Sequence, residues 1–261
     1  MFKKSSCSLI GMVHVGPLPG AAGWAGNLEE VVENALLDAA IYKKSGFDAI
    51  MVENMHDVPY IKGTALPETV AAMTVISSAL KKEIKMHTGI QILAGANLEA
   101  LGVAIAANLD FIRVEGFVYA HVGNGGIHES CAAKLIRRRD ELKANEIKIF
   151  ADVKKKHASH AITSDTSIGD TAKEAEFFKA DGLVVTGIRT GDQPLLEEVK
   201  SVKQSVKIPV LVGSGITPEN LKKYARYSDG MIIGSSSKTG GHWSAKVDTE
   251  RCKKLVNVHK D

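Results

Sequence analysis

The nine residues from Asp152 to His160 hold one carboxylate, three lysines (Lys154, Lys155 and Lys156) and two histidines (His157 and His160). A carboxylate can serve as a general base or a metal ligand. An ammonium can stabilise a developing oxyanion or form a Schiff base, and an imidazole can move protons near neutral pH. Asp152 is therefore read as general base or metal ligand. Lys154 is the favoured cation, ahead of Lys155 and Lys156, and His157 is a second proton-transfer candidate. This chemistry directly follows the apolar run Ile147–Asp152, so the next question is which element presents it.

A second cluster of chemistry sits near the C-terminus. "PVLVGSGITPEN" at Pro209–Asn220 and "DGMIIGSSSK" at Asp229–Lys238 each join a strand-like run to a Gly/Ser loop. Glycine lets backbone N–H groups approach an anion, and a helix N-terminus adds favourable partial charge. Gly213, Ser214, Gly215, Gly234, Ser235 and Ser236 are the expected phosphate-binding residues, and Lys238 could reach the same anion.

The positioning elements can be read from periodicity. Eight β-rich runs, Leu9–His14, Ala49–Asn54, Ile90–Ala94, Phe111–Glu115, Ile147–Asp152, Gly182–Thr186, Pro209–Ser214 and Gly230–Gly234, alternate with amphipathic segments such as Leu28–Ser45 and Pro67–Lys82. Such alternation predicts βαβ units and a parallel sheet. Thr217-Pro218 is expected to cap a helix and Asp248 to cap the last one. A chain of 261 residues suits a single (β/α)₈ TIM barrel with eight parallel strands, a fold of about 250 residues. An open doubly wound sheet is the competing arrangement. It is disfavoured because "MVHVGPLPG" lacks the GxGxxG spacing of dinucleotide-binding sheets. Without a composition break, residues 1–261 are expected to form one domain.

In a barrel, alternate side chains face the helices and the axis. Ile149, Ala151 and Val153 share the outward parity, leaving Phe150, Asp152 and Lys154 inside. By the same rule Val13, Ile50, Val52, Ile112 and Val114 point out, while His14, Glu53, Arg113 and Glu115 point in. Barrel active sites lie at the C-terminal strand ends, so His14, Glu53, Glu115 and Asp152 are expected to line one mouth. Arg113 and Asn97 would contact the substrate there. The same four groups are hard ligands that could hold a divalent metal, although no HxH or HExxH spacing assigns one. A serine nucleophile is disfavoured because no GxSxG elbow occurs. His56, Asp57, His121 and His128 read as surface-loop residues, and His242-Trp243 as rim packing.

Composition narrows the partners. With 33 basic and 30 acidic residues, a net charge of +3 and scattered basic runs, nothing calls for nucleic acid. No apolar run approaches the ~18 residues of a membrane span. Three widely spaced cysteines suggest a reducing compartment. Since only a few residues precede the first strand, no targeting segment is expected and the chain reads as cytoplasmic. A homo-oligomer is compatible with such a barrel.

The segments "ENMHDVPY", "GANLEALGVAIAANLDFIRVEGFVYAHV", "ADVKKKHASH", "VVTGIRTGD", "VLVGSGITPENL" and "IIGSSSKTGGHW", in that order, resemble the BtpA/SgcQ-like family. The resemblance runs from Ile10 to about Val258. It implies a TIM barrel related to ribulose-phosphate-binding barrels. The family takes its name from a role in photosystem I biogenesis, and other relatives are linked to sugar metabolism. Two functions are therefore expected: an enzyme acting on a small phosphorylated metabolite, or a non-catalytic assembly protein that uses the barrel as a docking body.

Overall fold

A computed structural model describes residues 7–187, 189 and 191–260. Eleven strands run in chain order: β1 (Ser8–His14), β2 (Ala49–Glu53), β3 (His87–Gln91), β4 (Phe111–Val114), β5 (His121–Gly123), β6 (Gly126–His128), β7 (Lys148–Val153), β8 (Ala158–Ser159), β9 (Gly182–Thr186), β10 (Val210–Gly213) and β11 (Gly230–Ile233). Eight close into a parallel barrel in the order β1-β11-β10-β9-β7-β4-β3-β2. Helices α1 (Leu28–Ser45), α2 (Pro67–Ile84), α3 (Asn97–Ala106), α4 (Ala132–Glu141), α5 (Ile168–Phe177), α6 (Leu196–Ser205), α7 (Leu221–Ala225) and α8 (Thr249–Lys260) lie between or after the strands.

The period-2 reading holds. Val13, Ile50, Val52, Ile112, Val114, Ile149, Ala151 and Val153 all pack into the layer between strands and helices. A separate cluster fills the axis, with Met12, Met51, Phe111, Phe150, Val184, Leu211 and Ile232 among its members. Two inward glycines make room for its aromatic rings. Gly89 pairs with Phe111 and Gly182 with Phe150 across adjacent strands. A methyl group on either glycine would fall within 2.1–2.5 Å of the ring beside it. The two rings meet edge to face at 5.3 Å, a favoured aromatic geometry.

The opposite, N-terminal end is tied by four aspartates. Asp48, Asp110, Asp181 and Asp229 each precede one strand and accept the backbone N–H of the preceding barrel strand: Leu9, Thr88, Ile149 and Val210, at 2.7–3.0 Å. Lys81, Arg139 and Lys203 neutralise three of them. These clamps satisfy strand-start donors that have no ladder partner, and they leave the other end of the barrel free for a site.

Two local expectations need correction. The third barrel strand begins at His87, not Ile90, because Gly89 carries no apolar side chain to reveal it. Thr217-Pro218 does not start a helix: α7 begins at Leu221, and Asn220 instead accepts the Thr217 N–H. The connection after β4 holds β5 and β6, which form a three-stranded antiparallel sheet with β8. Asp248 does cap α8, accepting from Arg251 N at 3.0 Å.

Candidate active site

The C-terminal strand ends open into a cleft of about 370 Å³. Of the residues expected from sequence, His14, Glu53, Arg113, Ser214, Gly215, Gly234, Ser235 and Ser236 line it. Lys156, Thr217, Met55, His242, Trp243 and Arg251 line it as well.

One wall is the Gly/Ser cradle. Ser214 and Gly215 follow β10 with φ of 72° and 67°, a left-handed turn that is unusual for serine. A side chain at Gly215 would meet Gln193 N at 2.2 Å, so the turn is packed tightly against the loop before α6. Facing it, Ser236 Oγ is buried without a hydrogen-bond partner. Arg251, from the first turn of α8, reaches the same wall and donates to Ser236 O at 2.9 Å.

The floor is ionisable. Arg113 Nε and Nη2 donate to Asp152 Oδ1 and Oδ2 at 2.8 and 3.0 Å. Lys156 Nζ donates to Ser214 Oγ at 2.7 Å. Burial pushes the Lys156 pKa down, and the Arg113 charge adds to this. Burial raises the Glu53 pKa, against the lowering pull of Arg113 and Lys156. Both shifts follow from the cost of holding charge away from water.

Behind the floor, Lys238 is 1% exposed. Its Nζ donates to Trp243 O at 3.0 Å and lies 3.1 Å from His14 Nδ1. An ammonium has no lone pair to accept with. His14 Nδ1 also lies 3.0 Å from Trp243 O, so it meets both a donor, Lys238, and a carbonyl acceptor, and Nε2 is 3.4 Å from Glu53 Oε2. Burial first and Lys238 second hold the His14 pKa well below its usual value. Burial also lowers Lys238 to about 8.

Several expected residues lie elsewhere. Lys154 has φ of 45° and donates to Thr163 O and Thr166 O. It turns out of the cleft because strand geometry ends at Val153, and Lys156 takes the place expected for it. Glu115 pairs with Lys155 at 2.9 Å, and Asp152 is buried beneath Arg113, with neither lining the cleft. Asn97 is a buried structural group bonded to Glu115 O and Cys131 Sγ. Gly213 packs on Val184 and Thr186, and His157 is exposed, outside the cleft lining. His121 and His128 are buried rather than surface residues, stacked at 4.9 Å with His160 beside them. With Glu115 and Asp152 engaged by cations, no three His, Cys, Asp or Glu residues among those described form a metal-ligand set.

Lys156, Lys238 and Arg251 were missed or ranked low. Trp243, expected only at the rim, lines the cleft. The only sequence signal for Lys156, Lys238 and Trp243 is position in loops that follow barrel strands, and Arg251, on the first turn of α8, has none.

Fold and site together define a (β/α)₈ barrel with a cationic, Gly/Ser-walled mouth. The chain belongs to the BtpA family, whose model matches residues 5–261. It is 45% identical to an uncharacterized mitochondrial protein of Caenorhabditis elegans, over 98% of this chain and 94% of that protein. It is 34% identical to the photosystem I biogenesis protein BtpA of a Synechocystis strain, over 96% of this chain and 87% of that one. Among solved structures it resembles orotidine 5'-phosphate decarboxylase from Pyrococcus horikoshii, with TM-score 0.61, 16% identity and 97% and 99% of the two chains covered. That likeness speaks for the fold alone. No helix among the described residues is long and apolar enough to cross a membrane.

Proposed function

We propose that the chain is an enzyme acting on a small phosphorylated metabolite, such as a sugar phosphate or nucleotide, at the mouth of the barrel. The observation that carries this reading is the cradle. A left-handed Ser214-Gly215 turn lines one cavity together with Ser236, Arg251 and Lys156, and the Ser236 hydroxyl is buried without a partner. Arg113 is already neutralised by Asp152, so Arg251 leaves positive charge for an anion, against one cavity carboxylate whose charge burial disfavours. The phosphate would bind backbone N–H groups at Gly215 and Gly234–Ser236, with Arg251 above it. Glu53, oriented by His14, would transfer the proton, and Lys156 would stabilise or capture the reacting oxygen or carbon. This chemistry suits a lyase, isomerase or hydrolase.

The name of the Synechocystis relative supports a second reading, a docking body without catalysis. The test is a thermal-shift screen against phosphorylated metabolites, with and without Mg²⁺, Mn²⁺ and Zn²⁺. A ligand at 100 times its Kd should add about 2.7 kcal/mol of stability. If no phosphorylated compound stabilises the protein and phosphate-soaked crystals leave the cradle empty, the docking reading stands instead.

A further inference from the structure

We propose that Lys156 is a covalent catalyst whose amine captures the carbonyl carbon of a short-chain phosphorylated aldehyde or ketone as an imine. The proposal rests on the phosphate-binding reading and goes past it by naming the functional group that reacts.

The three adjacent lysines have been sorted by their partners. Lys154 is spent on two loop carbonyls and Lys155 on Glu115. Lys156 alone enters the cleft. Its main chain is pinned there, because Thr186 at the end of β9 accepts the Lys156 N–H at 3.1 Å. Its Nζ touches a hydroxyl, Ser214 Oγ, and among the described residues no carboxylate lies within ion-pair distance of it. A carboxylate partner would keep the amine protonated. A hydroxyl can accept from the ammonium and equally donate to the neutral amine. Burial first and the Arg113 charge second favour the neutral, nucleophilic form, against the opposing pull of Glu53, Asp152 and Glu115.

The rest of the cleft supplies what imine formation needs. Arg113, locked by Asp152, faces the cavity and can polarise the carbonyl oxygen. The Lys156 nitrogen attacks the carbonyl carbon, a C–N bond forms, and one proton passes from nitrogen to oxygen to give the carbinolamine. Glu53 lines the same cleft, and its burial favours the acid form. It gives its proton to the carbinolamine hydroxyl, the C–O bond breaks, and water leaves. The products are a protonated C=N bond and the Glu53 carboxylate beside it. Ser214 belongs both to the cradle and to the Lys156 hydrogen bond. The phosphate and amine subsites are therefore adjacent, which selects a substrate whose carbonyl is only a short carbon chain from its phosphate.

The test traps the imine on the wild-type protein. The full chain is incubated with glyceraldehyde 3-phosphate or dihydroxyacetone phosphate and sodium cyanoborohydride, the hydride donor that reduces C=N to a stable amine. Peptide mass mapping then locates the adduct. The expected result is one adduct per chain at Lys156, at least 10-fold above any other lysine, with inorganic phosphate suppressing it. A parallel arm uses glyceraldehyde, which has no phosphate, and calorimetry reads inorganic phosphate binding separately. Adducts scattered over exposed lysines with Lys156 unmodified, while phosphate binds by calorimetry, would overturn the imine and leave the phosphate site standing. Lys156 labelling that is equal with both aldehydes and indifferent to phosphate would keep the imine and overturn the phosphate reading.

Discussion

Arg113 and Asp152 form a two-point pair, Nε to Oδ1 at 2.8 Å and Nη2 to Oδ2 at 3.0 Å, with the two side chains 5% and 1% exposed. The strand register explains it. Arg113 stands opposite Phe150, so Asp152 lies one pleat further along the same inward face. The pair fixes a guanidinium at the floor of the cleft without adding net charge. Replacing one partner strands the other: Asp152→Asn should cost about 3 kcal/mol in urea unfolding, because a buried charge loses its counter-ion. Arg113→Met combined with Asp152→Leu should restore most of that loss. A single variant as stable as the parent would show that the pair contributes nothing.

Lys238 makes a signed pH prediction. Its folded pKa of about 8 lies below the ordinary lysine value of 10.5. Between those values the unfolded chain holds the proton and the folded chain does not, so stability rises with pH across that window. The full effect is about 3 kcal/mol, at 1.36 kcal/mol per unit. Below pH 8 the folded protein carries the whole penalty. Chemical unfolding of wild type and Lys238→Met at pH 7.5, 8.5 and 10 should give a stability difference that moves in favour of wild type as pH rises. A pH-independent difference would refute the depressed pKa.

Two glycines of positive φ, Gly215 in the cleft lining and Gly240 next to the lining residue Gly241, separate strain from crowding. Gly240 has φ of 65° and open space around it, whereas a Cβ at Gly215 would lie 2.2 Å from Gln193 N. Gly240→Ala should therefore cost about 1 kcal/mol, from the left-handed backbone alone. Gly215→Ala should cost at least about 3 kcal/mol, or displace the loop, and should abolish phosphate binding in calorimetry. Equal costs for the two would mean the loop before α6 yields freely.

Arg251 tests the cradle with little risk to the fold. It is exposed, and its side chain donates through Nε to Ser236 O. Arg251→Ala should leave the melting temperature within about 2 °C while weakening inorganic phosphate binding by at least ~10-fold, the lower end for a charge-assisted hydrogen bond. Unchanged phosphate affinity would place the anion elsewhere.

What could be read from the sequence was whatever depends on local sterics and repetition. Strand side chains must alternate, so the parity of Val13, Val52, Val114 and Ala151 fixed which residues faced the axis, and His14, Glu53 and Arg113 followed. Strand–helix alternation set the parallel barrel, since parallel strands need crossovers. The paired Gly/Ser loops marked one wall of the cleft. What only the tertiary structure decided begins where alternation stops. Beyond Val153 the chain turns at Lys154, φ 45°, so parity no longer says which lysine enters. Contacts with Thr163, Glu115 and Ser214 distribute the three instead. Lys238, Trp243 and Arg251 reach the site from the chain's last quarter. Asp152 and Glu115 are withdrawn from the cleft because buried charges must be paired, and the paired cations come from a neighbouring strand or loop that no local pattern names.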